Sequence, residues 1–503
     1  VSGSTANIKN MGAKKKNTKP IVKATKASSP PSKTSASNGA SSTSPPPLRT
    51  SVIPSVFMAV VAFMAGVVTP PSLHAVQDGA NPSTSNSSLP DAPSSSFPLP
   101  AHVPCTPSNL ENYLHATPVP GLHVVCVEPI NESADGTVHA FPETDDISRK
   151  LSRSNSLRLT FYKDAHAAPL KRRVKVSGDT FGPGGVESIE WLHLKMQLIM
   201  ELGLAPEGPT QQPWAAFTAS GERIVGENDD VSKDGDGIGS NERTLRTIAA
   251  SGMMVVVQGG NWVWPGVREG FRRTIELAFP PSSDESRNIT IETLSLRPLV
   301  LSVEGFLTED ECDHIAEKAG PSMKYSSVSL KDADRGRAAS DWRTSQSTFL
   351  LADNDRTLKN IERRTGSLTR VPRSHQEYVQ VLRYGTGEKY DAHHDYFDPV
   401  SYKSDKGTLN LIQNGKKNRF ATVFWYLTDV DEGGHTVFPR AGGLPPVRDH
   451  SDCSRGLRVQ PQKGKVIIFY SLDASGALDP LSLHGACPVG EDNVKWAANK
   501  WIW

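Results

Sequence analysis

Residues 389–397 read KYDAHHDYF, which sets His393 and Asp395 two positions apart, and residues 481–488 read LSLHGACP, which adds His484. In a β-strand, residues i and i+2 project to the same side, so His393 and Asp395 can reach one ion from a single strand. His484 then has to come from a second, distant strand brought alongside by the fold. Two imidazoles and one carboxylate on one face of a metal leave the opposite face open. That arrangement suits Fe(II), which needs vacant positions for a cosubstrate and for O2. A bare His-x-Asp also fits two solvated polar residues at a strand end, so the surrounding sequence has to decide.

Beyond His484 lies Lys495, in VKWAANKW, while Tyr384 and Thr436 sit in the strand-like runs VQVLRYG and HTVFP. A dicarboxylate that chelates a metal at one end needs a cation and hydroxyls at the other. A lysine acts there as a compact point charge. The runs VQVLRY, ATVFWYL, LRVQP and KVIIFYS are rich in Val, Ile and aromatic residues and read as strands. TEDECDHIAEKA opens with Thr308, followed three residues later by Glu311, which is the signature of a capping box. Pattern alone therefore supports a mostly β unit after a helical start.

From about Leu294 to Trp503 the chain resembles the catalytic, alpha-subunit-like domain of the prolyl 4-hydroxylase family of Fe(II)/2-oxoglutarate dioxygenases. The likeness runs in order through LSLRPLVLSVEGFLTEDEC, DWRTSQSTFL, VQVLRYGTGEKYDAHHDYF, ATVFWYLTDVDEGGHTVFP, GKVIIFY, SLHGACPV and VKWAANKWIW. By that resemblance His393, Asp395 and His484 match the iron ligands. Lys495 matches the residue that pairs with the distal carboxylate of 2-oxoglutarate, with Tyr384 and Thr436 hydrogen-bonding to it. Arg343, Tyr390, Arg419 and Trp501 match positions that line a peptide groove; ordinary packing is the alternative for these four. The resemblance implies a double-stranded β-helix (jelly roll) with flanking helices. It also implies Fe(II), 2-oxoglutarate as cosubstrate, O2, and ascorbate to keep the metal reduced. The implied activity is hydroxylation of peptidyl proline to 4-hydroxyproline in proline-rich polypeptides. Lysine at the cosubstrate position resembles the collagen-type and plant-type enzymes more than the oxygen-sensing or lysyl enzymes.

Some positions depart from the family pattern. His394 and His435 stand where an aromatic or acidic residue is commoner, and Asn499 replaces a commoner threonine. As residue i+1 of a strand, His394 is expected to face away from the metal. Residues 401–418, SYKSDKGTLNLIQNGKKN, read as a flexible polar loop over the mouth of the site. Two other functions stay open: a related dioxygenase acting on another residue or a small molecule, and a catalytically silent protein that grips Pro-rich chains. The three metal-binding side chains together with Lys495 argue against the silent binder, which needs none of the four.

The chain has 503 residues and a formal net charge of +1, so no global field favours nucleic acid. Length divided by ~150 residues suggests about three units. Residues 1–50 are basic, rich in Ser and Pro, and free of acidic residues, a composition that cannot bury a core. The apolar segment from Val52 to Val68 is uncharged and near the lower limit of ~17 residues for a membrane span. Its only basic flank is N-terminal, which predicts a single type II anchor with a lumenal catalytic domain in the endoplasmic reticulum or Golgi membrane. A cleaved signal peptide and an organelle transit peptide remain alternatives. Residues 69–101 read as a Ser/Pro-rich tether.

Residues 102–290 read as a separate accessory α+β domain and residues 291–503 as the dioxygenase domain. The order strand, strand, helix, strands in the accessory part resembles a β-grasp module. The acidic stretch NDDVSKDGDGIGSNE is out of register with a calcium-binding loop and reads as solvated. NWVWPG reads as core. Among the five cysteines, Cys105 and Cys126 bracket a short loop, and Cys453 and Cys487 both fall in the catalytic unit. Two disulfides with Cys312 left over is one reading, and five thiols the other. Sequons at Asn86, Asn131 and Asn288 add little. Assembly as a homo- or hetero-oligomer stays open.

Overall fold

The computed structural model describes residues 100–142, 144–168, 170–175, 188–204, 214–226, 240–278 and 286–503, all within one compact unit. The basic tail, the apolar Val52–Val68 segment, nearly all of the tether and most of the acidic stretch lie outside the described residues. Among the described residues, no helix is long and apolar enough to cross a membrane.

Nine strands form one antiparallel sheet in the order Lys324–Tyr325, Gln346–Leu350, Val379–Tyr384, Lys495–Ile502, Ala421–Tyr426, Val466–Tyr470, Leu299–Glu304, Ser286–Leu296 and Arg272–Ala278. The strand ATVFWY is buried at every position, so it carries no polar alternation, as expected when both faces of a sheet are covered. On one face Ala421, Val423 and Trp425 join Ile468 and Ile502. They pack against Cys312 and Ile315 of helix Glu309–Ala319 and Leu358 and Ile361 of helix Arg356–Thr369. On the other face Phe424 and Tyr426 join Phe469 and Ala497 against Phe438 and Val459. Those last two belong to a small antiparallel sheet, ordered Tyr390–His393, His484–Ala486, Thr436–Phe438 and Leu457–Val459. The large sheet thus lies between helices on one side and the small sheet on the other.

The helical start is where the sequence placed it. Thr308 Oγ1 accepts from the Glu311 amide (3.1 Å) and the Glu311 carboxylate accepts from the Thr308 amide (3.0 Å), closing the capping box. Residues 401–418 differ from the expected loop. Asp405 caps a short helix, Lys406–Leu411, by accepting from the Thr408 amide. Buried Asn418 ties both the amide and the carbonyl of Phe397 (2.9 and 2.8 Å). The polar residues that suggested a loop are instead caps and anchors.

The accessory part is a second antiparallel sheet ordered Leu170–Lys175, Ser156–Tyr162, Leu122–Glu132, Met253–Val257, Ala215–Thr218 and Arg223–Gly226, with Val138–His139 paired to Leu122–Glu132. The longest of these strands, Leu122–Glu132, runs through the middle and was not read from the sequence. Its Val125 and Val127 pack with Leu194 and Leu198 of helix Ser188–Leu202 and with Ile248 of helix Ser240–Ser251. Its Val124 and Cys126 face the other way, into the core shared with the nine-stranded sheet. Trp262 and Trp264 lie in that shared core, as read, and Trp264 Nε1 donates to the Leu368 carbonyl (2.8 Å). The boundary expected between residues 290 and 291 falls inside strand Ser286–Leu296.

Cys105 pairs with Cys126 and Cys453 with Cys487, and Cys312 is free and buried. Cys487 follows His484 by three residues, so the second bridge fastens the segment before Leu457 to the strand carrying His484. Closing a loop of 34 residues is worth about 3–4 kcal/mol by chain entropy. Replacing Cys453 and Cys487 together by serine should lower unfolding stability by about that amount, read as a fall in the urea midpoint with a somewhat steeper slope, because the unlinked unfolded chain exposes more surface. An unchanged midpoint would show that the bridge constrains nothing.

Candidate metal centre

His393 and His484 are paired residues of two neighbouring antiparallel strands. Register therefore sets their imidazoles side by side, with ring centroids 4.6 Å apart. Asp395 lies two residues beyond the end of the strand that carries His393. The geometry differs here from the single-strand expectation: pairing is irregular between Tyr390 and His393, and Asp395 is held by contacts from the large sheet. Thr422 Oγ1 donates to Asp395 Oδ2 (2.6 Å), and Arg419 Nη1 donates to the Asp395 carbonyl (3.4 Å).

The three side chains converge. Asp395 Oδ1 is 3.7 Å from His393 Nε2, and Asp395 Oδ2 is 3.6 Å from His484 Nε2. Their ligand atoms all lie within 4.8 Å of one another, a spacing that one first-row ion with bonds of about 2 Å bridges after small adjustment. In both histidines Nδ1 faces a backbone carbonyl: that of Asp391 for His393 and that of Ser482 for His484, each at 2.9 Å. Nδ1–H donates there, so Nε2 presents its lone pair to the centre. Burial is the main cause that pushes His393 down, to about 3, with His484 adding to it. Burial pushes Asp395 up, but His484, His393, Arg419 and the Thr422 hydroxyl outweigh it and hold the carboxyl down at about 2. The set is thus a neutral imidazole donor beside an ionised carboxylate, a net negative site suited to a dication. Side-chain exposure is 4% for Asp395 and 27% for His393, so the centre opens on the His393 side. His394 is outside this cluster, as expected, with Nε2 3.2 Å from the Pro480 carbonyl.

A second polar point lies deeper, in the same sandwich. Lys495 is fully buried and donates to the Gly434 carbonyl (2.6 Å). Among the described residues no carboxylate pairs with it. Tyr384 is its partner across the strands, and the rings of Tyr384, Phe424 and Tyr426 lie 5.4–5.6 Å from Nζ. Burial pushes the Lys495 ammonium down to about 7. Tyr426 Oη donates to Thr436 Oγ1 (2.8 Å), which frees the Thr436 hydroxyl to donate elsewhere.

The four groove candidates form two stacked pairs, Arg343 on Tyr390 and Arg419 on Trp501. Tyr390 stacks on His393 at 3.7 Å between centroids, and the Arg343 guanidinium lies 4.6 Å over Tyr390. Arg343 Nε donates to Ser345 Oγ (2.7 Å), while its buried Nη2 and the buried Trp501 Nε1 have no partner among the described residues. Arg419 is already engaged: Glu377 receives its Nε (2.6 Å) and Nη2 (3.0 Å), and its guanidinium stacks 3.6 Å over Trp501. Glu377 also accepts from Trp503 Nε1 (2.8 Å). The sequence reading missed Thr422, Tyr426 and Glu377. Thr422 and Tyr426 were findable, because alternation along ATVFWY puts Thr422, Phe424 and Tyr426 on one face. Nothing local to Glu377 announces its partner 42 residues on.

Part of the chain is similar to known proteins. The family model described as 2OG-Fe(II) oxygenase superfamily matches residues 379–503. Probable prolyl 4-hydroxylase 4 of Arabidopsis thaliana is 42% identical over 220 residues, which are 42% of this chain and 70% of that protein. Prolyl 4-hydroxylase 2 of the same plant is 41% identical over 220 residues, 42% of this chain and 69% of that protein. Among solved structures, the viral collagen prolyl hydroxylase of Paramecium Bursaria Chlorella virus-1, in its 2OG complex, aligns with a TM-score of 0.28 and 24% identity, covering 40% of this chain and 94% of that one.

Proposed function

The chain belongs to the prolyl 4-hydroxylase family of Fe(II)/2-oxoglutarate dioxygenases, and on that premise we propose that it converts peptidyl proline to 4-hydroxyproline in proline-rich polypeptides, with His393, Asp395 and His484 holding Fe(II). The observation that carries this reading is the convergence of two tautomer-fixed Nε2 atoms and one buried carboxylate, in a fold that also buries a lysine with no carboxylate partner among the described residues. Fe(II) with 2-oxoglutarate supplies the oxidative chemistry, consuming O2 and giving succinate and CO2, with ascorbate keeping the metal reduced.

The chain's own residues supply position and charge. Lys495 receives the distal carboxylate of 2-oxoglutarate, and Tyr384 and Thr436 add hydroxyl donors. Tyr426 helps by taking the acceptor site on Thr436. The apolar wall of Phe424, Phe438 and Phe469 keeps water from the chelating end. In this reading Arg343 Nη2 and Trp501 Nε1, buried and without a partner among the described residues, donate to the carbonyls of an extended peptide once the side chains over them move aside. A polyproline II chain is a fitting ligand, since it loses little entropy on docking. Arg419 contributes by fixing the Trp501 plane, its charge being matched by Glu377.

The jelly-roll description belongs to this reading, and the two-sheet sandwich with the site between its layers supports it. The Val52–Val68 segment serves as a type II anchor in the endoplasmic reticulum or Golgi membrane, with the catalytic part lumenal. Its one-sided basic flank supports this, as do two disulfides of the kind that persist in oxidising compartments.

Turnover tests the activity directly. Purified full chain with Fe(II), 2-oxoglutarate, ascorbate and Pro-rich peptides should add one oxygen atom to proline and release succinate in step, and Asp395→Ala should lose both. Succinate release without peptide oxidation would place the substrate elsewhere. The lysine gives a second test. Lys495 sits near 7 when free, and a bound carboxylate raises it, so binding at pH 8 takes up close to one proton and binding at pH 6 takes up little. Calorimetry of 2-oxoglutarate with Co(II)-loaded protein, in buffers of different ionisation enthalpy, reads that uptake. Wild type should show it and Lys495→Met should not; equal uptake in both would remove the lysine from the cosubstrate site.

A further inference from the structure

Asp395 has two carboxylate oxygens in different surroundings. Oδ2 accepts from Thr422 Oγ1 at 2.6 Å, within the range of a charge-assisted O–H···O⁻ bond. Among the described residues no donor reaches Oδ1, which faces His393 Nε2 at 3.7 Å. Asp395 itself lies outside the regular strand, so backbone pairing does not fix its side chain. Thr422, by contrast, is fully buried in the middle of the large sheet, opposite Phe469 on one neighbouring strand and Trp501 on the other. Its β-branched side chain has restricted χ1 freedom. A rigid donor therefore meets a carboxylate that nothing else in its own strand holds.

We propose that Thr422 is a positioning residue for the metal centre: its hydroxyl occupies Asp395 Oδ2 and turns Oδ1 toward the metal as a one-oxygen ligand. This deepens the proposed function and rests on its assignment of Asp395 as a ligand. A carboxylate held by one oxygen keeps the opposite face of the ion open for a chelating cosubstrate. Loss of the hydroxyl lets the carboxylate rotate, and it also leaves Oδ2 buried without a donor. Partners of this kind behind a metal ligand typically change metal affinity by roughly 10–100-fold when removed. The strand geometry makes the assignment specific. Thr422, Phe424 and Tyr426 share one face of their strand, which spans the site from the carboxylate to the Thr436 hydroxyl that Tyr426 reaches.

The test is Co(II) affinity of the full chain without cosubstrate or peptide, followed by visible absorption, with thermal unfolding of the metal-free protein run in parallel. Thr422→Val keeps the shape and removes the hydroxyl; Thr422→Ser keeps the hydroxyl. The expected result is a Co(II) Kd about 10–100-fold weaker for Thr422→Val and within about threefold of wild type for Thr422→Ser, with an altered cobalt spectrum only in the valine variant. Should Thr422→Val fail to fold, Thr422→Ala provides the comparison without the hydroxyl. Wild-type affinity and spectrum in a folded variant lacking the hydroxyl would overturn the proposal. Failure of wild type itself to bind Co(II) at this site would overturn the ligand assignment on which it rests.

Discussion

An imidazole has two nitrogens, and a metal centre works only if the correct one is free. Here the Asp391 and Ser482 carbonyls each take an Nδ1–H at 2.9 Å, so both Nε2 lone pairs point inward. Each carbonyl belongs to the residue two positions before its histidine, so the device is local to each segment. What is not local is the pairing of His393 with His484, which depends on the register of two strands 91 positions apart in sequence. The large sheet, the Cys453–Cys487 disulfide and the aromatic layer of Phe438 and Phe469 serve to keep that register. Phe469 lies 4.4 Å from the His484 ring and Phe438 lies 5.8 Å from it. Displacing the small sheet by one residue would turn the histidines to opposite faces.

The site is also organised by depth. The cluster of His393, Asp395 and His484 opens on the His393 side, whereas Lys495 is fully buried among three aromatic rings. A buried ammonium with only a carbonyl to bind is poorly compensated, and its lowered proton affinity expresses that. Such a group is stabilised by the arrival of an anion rather than by the folded chain alone. This follows the general pattern in which functional sites carry polar groups that the fold itself does not satisfy. Among the described residues, buried Arg343 Nη2 and Trp501 Nε1 are likewise without a partner.

Much of this was legible in the sequence because the chemistry is carried by short motifs. His-x-Asp, the later histidine and the lysine were readable in order, as were the capping box at Thr308 and the buried tryptophans of NWVWPG. The sequence misled in three places. Residues 401–418 looked like a loop because caps and anchors use the same polar residues as loops. The domain boundary between residues 290 and 291 was drawn through strand Ser286–Leu296. Leu122–Glu132 was passed over although it is central to its sheet, because it combines an apolar run with an internal proline, Pro129. Glu377 was illegible for another reason: its role exists only in a contact across the fold, 42 residues distant.

The accessory sheet is fastened to the catalytic one by shared apolar packing rather than by a tether, since Val124, Phe217 and Trp262 lie in the same core as Leu301, Ile361 and Trp425. The catalytic sandwich and the accessory part therefore stabilise each other, whatever the accessory face contacts. The central claim, that three side chains from two segments hold one metal ion, is tested most directly by anomalous diffraction at the iron edge from anaerobic, Fe(II)-soaked crystals. The account predicts one strong peak bonded to His393 Nε2, Asp395 Oδ1 and His484 Nε2. A peak bonded elsewhere, or to only two of these atoms while the third turns away, would contradict it.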